Sequence, residues 1–347
     1  MGSRKPVVAA ALAILALAAV PAAFGAPPGG TGIGPPRTAT PSGQELNQLY
    51  WFVFAVCAVV FVLVETVLIL FIVRFRRRRT TPVEAEGPQI HGNTRLELIW
   101  TGIPVVVLAA IAIVVFVRTP DVQATPQEGD PDELVVQVEG HQFYWRYVYP
   151  DGEIALDTLV VPVDTPVRLE LTSYDVNHSW WVPELTGKRD AIPGRTNVLR
   201  FRPLEEGVYD GECAELCGIL HAVMPTTVEV VSEAEYADRL GLLGRQDQPV
   251  ATQLALGRDS WDLVCAKCHG PAGEGDIAPA VAQNGALVGE EQLRELLYEG
   301  FDRPETPEYM PPVGRNWEDF HIRALIEYVR SNERLAPAQA QDAEGNG

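Results

Sequence analysis

Two long apolar runs dominate the first third of the chain, and a shorter one precedes them. Leu49–Val73 is almost wholly apolar and closes on Arg74-Phe75-Arg76-Arg77-Arg78-Arg79. Leu98–Val117 follows and closes on Arg118-Thr119-Pro120. Each run is long enough to cross a hydrocarbon core of about 30 Å as a helix. The arginines after the first run assign the loop 74–95 to the cytoplasm. Residues 46–118 therefore read as a transmembrane hairpin in a cell membrane, with both termini and everything after 118 on the outer side. The shorter run, Val7–Val20, sits between Arg4-Lys5 and the small-residue stretch Pro21–Ala26. It reads as a signal peptide over residues 1–25, with an uncleaved anchor as the alternative. Residues 26–45, rich in Gly, Pro and Thr, read as a flexible tail.

Beyond residue 118 the period changes. Leu134–Val138, Phe143–Tyr149, Thr158–Val163, Val167–Ser173, Asn197–Arg202 and Thr226–Val231 are short alternating runs separated by Pro, Gly and Asp. They predict an antiparallel sandwich or barrel over residues 119–231. Residues 232–250 form a polar, partly helical connector. From 251 to 334 the pattern is helical, with Gly257, Trp261 and Cys265 recurring on one face that can pack against Leu325 and Tyr328 of a last helix near 317–332. The tail 335–347 reads as disordered. The fold class is thus a multidomain membrane protein: a two-helix hairpin, an all-β sandwich and an all-α C-terminal domain.

The net charge of −19 is concentrated after residue 118, which excludes nucleic-acid binding by counterion release. Both outer domains are acidic and should repel on average, so the connector is expected to act as a tether. The five cysteines are too few for a disulfide framework: Cys57 is isolated in an apolar run, while Cys213/Cys217 and Cys265/Cys268 look like ligand pairs. Within twelve residues stand Cys213, Glu215, Cys217, His221 and Met224. Thiolate, imidazole and thioether form the soft set that selects copper, and His178, in an inter-strand loop, can join them. A Cys213–Cys217 disulfide leaves His221 and Met224 unexplained.

This pattern resembles subunit II of the haem–copper cytochrome c oxidases over residues 44–231, as do Leu96–Pro104, Gly140–Trp145 and Lys188–Gly194. The resemblance implies a cupredoxin-like fold holding a dinuclear copper centre (CuA), bridged by Cys213 and Cys217. It implies one histidine, His178 or His221, on each copper, with Met224 and the Glu215 carbonyl as weak axial ligands. It also implies a Mg²⁺ shared with subunit I through Glu215, a proton-path mouth at Glu97, and electron intake near Phe143 and Trp145. The family commonly carries Trp at position 143, so Phe143 puts the usual route from a soluble cytochrome in doubt. Glu97 can equally be a solvated carboxylate at a helix start. Glu65, inside the first span, is a functional candidate or a hydrogen-bonding partner for a neighbouring subunit.

Cys265-Ala-Lys-Cys268-His269 is the c-type haem attachment motif, and Met310 is the only methionine after it. A His269/Met310 axial pair suits an electron carrier of raised potential. Residues 251–332 resemble a class I cytochrome c, which implies that the Pro279 carbonyl orients His269. The expected protein is a caa-type subunit II. It would take electrons from a cytochrome bc complex or a small cytochrome c and pass them from haem c to CuA. From there they reach subunit I, which works beside subunit III in reducing O₂ to water with proton pumping. The alternatives are the electron-input subunit of a copper-containing nitric oxide reductase and, in another class, a copper-delivery protein.

Overall fold

The computed structural model describes residues 34–76, 92–123, 132–249, 253–287, 289–302 and 309–335, with 89, 126, 129 and 130 between them. The expected signal peptide, most of the arginine-rich loop and the tail beyond 335 lie outside the described residues. The chain divides into two compact units, residues 1–37 with 44–124 and residues 38–43 with 125–347.

The first unit is built on helices α1 (Pro41–Phe75) and α2 (Thr94–Gln123), both long and apolar enough to cross a membrane. Each exceeds the apolar run it contains, because helical hydrogen bonding continues into polar residues at the ends; α2 carries Pro104 and Pro120 within it. Asn93 caps α2 with its side chain on Leu96 N, and Glu97 Oε1 returns to accept from Asn93 N, 3.2 Å each. That reciprocal pairing satisfies two otherwise orphaned donors at the helix start. Arg118 Nη1 meets Glu45 Oε2 at 3.1 Å.

The second unit begins its β-structure with two five-stranded sheets. One runs β3 (Ile154–Leu156), β2 (Tyr144–Val148), β1 (Leu134–His141), β5 (Val167–Ser173), β8 (Asn197–Phe201). The other runs β4 (Thr158–Pro162), β10 (Pro225–Val231), β9 (Gly207–Cys213), β6 (His178–Trp181), β7 (Arg189–Ala191). Between them lie Trp145, Tyr147, Leu159, Leu169, Leu171, Trp180 and Phe201, all fully buried. The sandwich is mixed rather than purely antiparallel: β1–β5 and β4–β10 pair in parallel, because the chain crosses to the other sheet before returning beside its starting strand. Strands β3, β6, β7 and β9 escape sequence patterning, being short or, in β9, interrupted by Gly and acidic residues. In β9, Gly211 is needed because a Cβ there would sit 2.4 Å from the Trp181 carbonyl oxygen.

Residues 38–43, expected as part of a flexible tail, pack on the sandwich. Ala39 N donates to Glu184 O, Leu204 N donates to Ala39 O, and Thr40 Oγ1 donates to Leu185 O. The segment is held because its backbone finds partners, and Thr40 is fully buried. Helix α3 (Glu233–Leu240), capped by Ser232, and the following turn pack Tyr236, Leu240 and Leu243 on the sandwich core.

The C-terminal lobe holds α4 (Leu254–Ser260), a wide turn Trp261–Cys265, α5 (Ala266–His269), α6 (Glu290–Glu299) and α7 (Asp319–Ser331). In the wide turn Ala266 N reaches back to Trp261 O, one residue beyond α-helical reach. Helices α4 and α7 cross in backbone contact: a Cβ on Gly257 would lie 2.1 Å from Ala324 O. The lobe's core is Trp261, Leu293, Leu297, Trp317, Ile322, Leu325 and Val329, and it continues onto Tyr144, Ile154 and Leu156 of the sandwich. Local pairs cross the same boundary. Arg146 bridges Glu139 and Glu318, Asn316 Nδ2 donates to Glu139 Oε1 at 2.7 Å, and Arg315 Nη1 donates to Tyr174 O at 3.1 Å. The two acidic domains, expected to repel on average and to be held by a tether, are thus packed and locally complementary, because cations at the boundary face carboxylates.

Candidate functional site

The sandwich delivers its chemistry at one end. Cys213 closes β9, the loop 214–224 turns outward and back, and Met224 precedes β10. Cys213 N donates to Met224 O at 3.0 Å, closing the loop at its base. His178, expected in a loop, is the first residue of β6; β6 lies beside β9, with Trp180 paired to Cys213. Gly140 makes room for it, since a Cβ there would come 2.8 Å from the imidazole.

The donors converge. Cys213 Sγ and Cys217 Sγ are 3.8 Å apart and not bonded to each other. His178 Nδ1 is 3.8 Å from Cys213 Sγ, His221 Nδ1 3.7 Å from Cys217 Sγ, Met224 Sδ 3.8 Å from Cys217 Sγ, and Glu215 O 3.2 Å from Cys213 Sγ. His178, Cys213 and Cys217 are buried, while the Glu215 side chain is exposed. A hydrogen bond from the Cys217 thiol, with another from His178, pulls the Cys213 thiol far below its ordinary value, so a thiolate is favoured there. Asp175 Oδ1 accepts from His178 Nε2 at 2.8 Å. Against burial, which lowers it, Asp175 and then Cys213 raise the His178 imidazole above its ordinary value. This carboxylate–imidazole pair fixes the ring orientation that turns Nδ1 toward the sulfurs. Sequence reasoning missed Asp175, although a carboxylate three residues before a candidate ligand is a usable signal. The arrangement fits copper: four soft or neutral donors around two cysteines, oriented by a second layer.

The C-terminal lobe presents Cys265, Cys268 and His269 on consecutive helical turns. His269 Nδ1 lies 2.8 Å from Pro279 O, which orients the ring and leaves Nε2 for an iron. Burial, helped by Cys268, pushes the Cys265 thiol up to about 12. Met310 lies half-buried in β12 (Tyr309–Met310), paired with β11 (Phe301–Asp302). Cys265, Cys268 and the oriented His269 fit a c-type haem.

Phe143 and Trp145 are both buried, at 7% and 0% exposure. Trp145 lies in the sandwich core with its ring 5.8 Å from that of His178, edge to face. Phe143 packs under the 214–224 loop: a side chain on Gly218 would come 2.9 Å from its ring. Neither ring is a free surface. Glu65 and Cys57 are exposed along α1, and Glu97 is exposed at the cap of α2.

A two-helix membrane anchor, a cupredoxin-like sandwich with a thiolate–imidazole–thioether loop and a helical lobe with a haem-attachment turn define a membrane-bound electron-transfer protein. Comparison with known proteins makes this specific. Residues 28–117 match the cytochrome c oxidase subunit II transmembrane domain, 153–231 its periplasmic domain, and 254–333 cytochrome c. The chain is 33% identical over 308 residues to cytochrome c oxidase subunit 2 of Alkalihalophilus pseudofirmus, covering 84% of this chain and 89% of that one. It is 36% identical over 249 residues to the subunit 2 of Cereibacter sphaeroides, covering 60% and 79%. It is also similar to the solved periplasmic domain of subunit II of cytochrome oxidase of Bradyrhizobium japonicum (34% identity, 31% of this chain, 91% of that one, TM-score 0.31). The chain belongs to the cytochrome c oxidase subunit II family, and its fused cytochrome c domain fits the caa-type architecture. It is a membrane protein with its redox domains outside, and part of an oxidoreductase complex with subunit I.

Proposed function

We propose that this chain takes electrons from an outside donor, a cytochrome bc complex or a small cytochrome c, and delivers them to subunit I for reduction of O₂ to water coupled to proton pumping. Cys265 and Cys268 would hold a haem c covalently, with His269 and Met310 on its iron. Cys213 and Cys217, with His178, His221, Met224 and the Glu215 carbonyl, would hold two coppers. When bound, such a pair supplies one-electron exchange with little ligand rearrangement. The chain's own part is to keep the ligands fixed: Asp175 orients His178, the Cys213–Met224 backbone bond closes the loop, and the sandwich core excludes water. The observation that carries the reading is the convergence of these donors on a sandwich that the haem-motif lobe packs against directly.

In the same reading, Glu215 would contribute to a Mg²⁺ at the border with subunit I, Glu97 would stand at a proton-path mouth, and subunit III would complete the complex. Residues 1–25 would be a signal peptide, 119–231 the copper domain and 251–334 the cytochrome domain, with both termini outside. Phe143 and Trp145 would lie on the path from haem to copper rather than on a surface offered to a diffusing protein.

The test is the purified complex with reduced donor. O₂ consumption and electron resonance showing hyperfine coupling to two equivalent copper nuclei are expected. Turnover of NO with no O₂ consumption, or a four-line single-copper spectrum, would overturn the corresponding part.

A further inference from the structure

Lys267 stands between the two haem-attachment cysteines, at a position that neither binds iron nor forms a thioether. A lysine on an isolated helical turn normally extends its ammonium into water. Here the side chain is 17% exposed and its charge is turned inward. Lys267 Nζ donates to Phe143 O at 2.9 Å and to Asp157 Oδ2 at 2.7 Å, both on the sandwich. Asp157 is buried and holds φ at +56°, a conformation that few non-glycine residues adopt. Its other oxygen accepts from Trp145 N at 2.8 Å. A carboxylate buried this way needs a cation partner, and among the described residues Lys267, from the other lobe, is the one that reaches it.

The segment so gripped also holds the copper loop. Gln142 Nε2 donates to Cys217 O at 2.6 Å, and Gln142 N donates to Asp175 Oδ2 at 2.6 Å, the carboxylate that orients His178. Residues 142–145 are thus fastened to the copper ligands on one side and to the haem-attachment turn on the other.

We propose that Lys267 is a positioning residue, which pins the haem-attachment turn to the Phe143 carbonyl and Asp157 and so fixes the separation between haem and copper sites. The proposal rests on the functional reading above. Its test is pulsed dipolar electron resonance between oxidised haem and oxidised copper in the intact oxidase, with hydrogen exchange of the same complex. The unmodified protein should give one narrow distance distribution. Lys267→Met should broaden it and speed exchange of the 142–148 amides roughly a hundredfold, as expected for stranding a buried charge. Lys267→Arg, which keeps cation and donors, should restore both. Haem staining and the separate spectra of each centre should not change in any variant. A distribution unchanged by Lys267→Met, or broadened equally by Lys267→Met and Lys267→Arg, overturns the proposal. Absence of the covalent haem or of the copper signal in the unmodified protein would instead count against the functional reading.

Discussion

Tyr144 offers the most direct probe of how the C-terminal lobe is held. Its ring is fully buried at the boundary between sandwich and lobe. Its hydroxyl donates to Val313 O at 2.5 Å and accepts from Trp317 Nε1 at 2.8 Å. Tyr144→Phe removes one oxygen, keeps the ring and leaves two buried groups without this partner. Each orphaned group costs about 1–3 kcal/mol, so about 3 kcal/mol for the pair is a moderate expectation, or roughly a hundredfold in an opening equilibrium. Hydrogen exchange of residues 317–329 in the detergent-solubilised complex reads that equilibrium directly. Trp317→Phe removes the donor to Tyr144 together with part of the buried ring volume, and it leaves the Val313 carbonyl with its partner. Tyr144→Phe made in that background should therefore cost measurably less than alone, because one of its two penalties has already been taken. If Tyr144→Phe changes exchange less than about threefold, the hydroxyl does not bind the lobe and this account of the boundary is wrong.

Other expectations follow from the same coordinates. Haem staining of the chain should survive denaturing electrophoresis and vanish in Cys265→Ala/Cys268→Ala; staining that disappears from the unmodified chain on denaturation would refute covalent attachment. Asp175→Ala frees the His178 ring and should weaken copper retention against a competing chelator by about 10–100-fold, while unchanged retention would remove Asp175 from the site. His321 is fully buried, 2.7 Å from Ser260 Oγ, whose own proton goes to Leu256 O, so its Nε2 carries the hydrogen and Nδ1 is bare. Burial first, then Arg146 and His141, depress its pKa well below 6.5. The unfolded chain therefore binds a proton that the folded one refuses. Stability contributed by neutral His321 is present above pH 6.5 and falls below it by up to about 1.4 kcal/mol per pH unit. Exchange of the α7 amides at pH 7 and pH 5 should show this slope, and His321→Gln should flatten it; equal slopes would exclude His321. Haem-to-copper transfer in the intact chain should depend weakly on ionic strength, because the crossing pairs are largely buried, and a steep salt dependence would mean that the lobe detaches.

Much of the chain could be read one residue at a time. The membrane runs announce themselves by length, since twenty apolar residues have few other homes. Strands β1 and β5 show in their β-branched alternation. The copper and haem motifs are dense enough in rare residues to identify their chemistry unaided. Strands β6 and β9 do not show, although they carry His178 and Cys213. Gly211 and the acids of β9 break its alternation, and its pairing energy comes from neighbours far away in sequence. Strand β2 misleads in the opposite way: Tyr144, Trp145, Arg146 and Tyr147 are all buried, because one face lies in the sandwich core and the other beneath the C-terminal lobe.

The sequence by itself determined the anchor, the kinds of domain and the candidate donor residues, because length, period and ligand chemistry are local properties. Only the tertiary structure decided that His178 meets the copper loop from a neighbouring strand, and that Asp175 orients it. It also decided that two domains of like net charge lie packed together. Net charge is a sum over the surface, whereas docking depends on a few groups at short range. Lys267 against Asp157, Arg146 between Glu139 and Glu318, and Tyr144 under Trp317 are close enough, and dry enough, to outweigh a repulsion that solvent screens elsewhere.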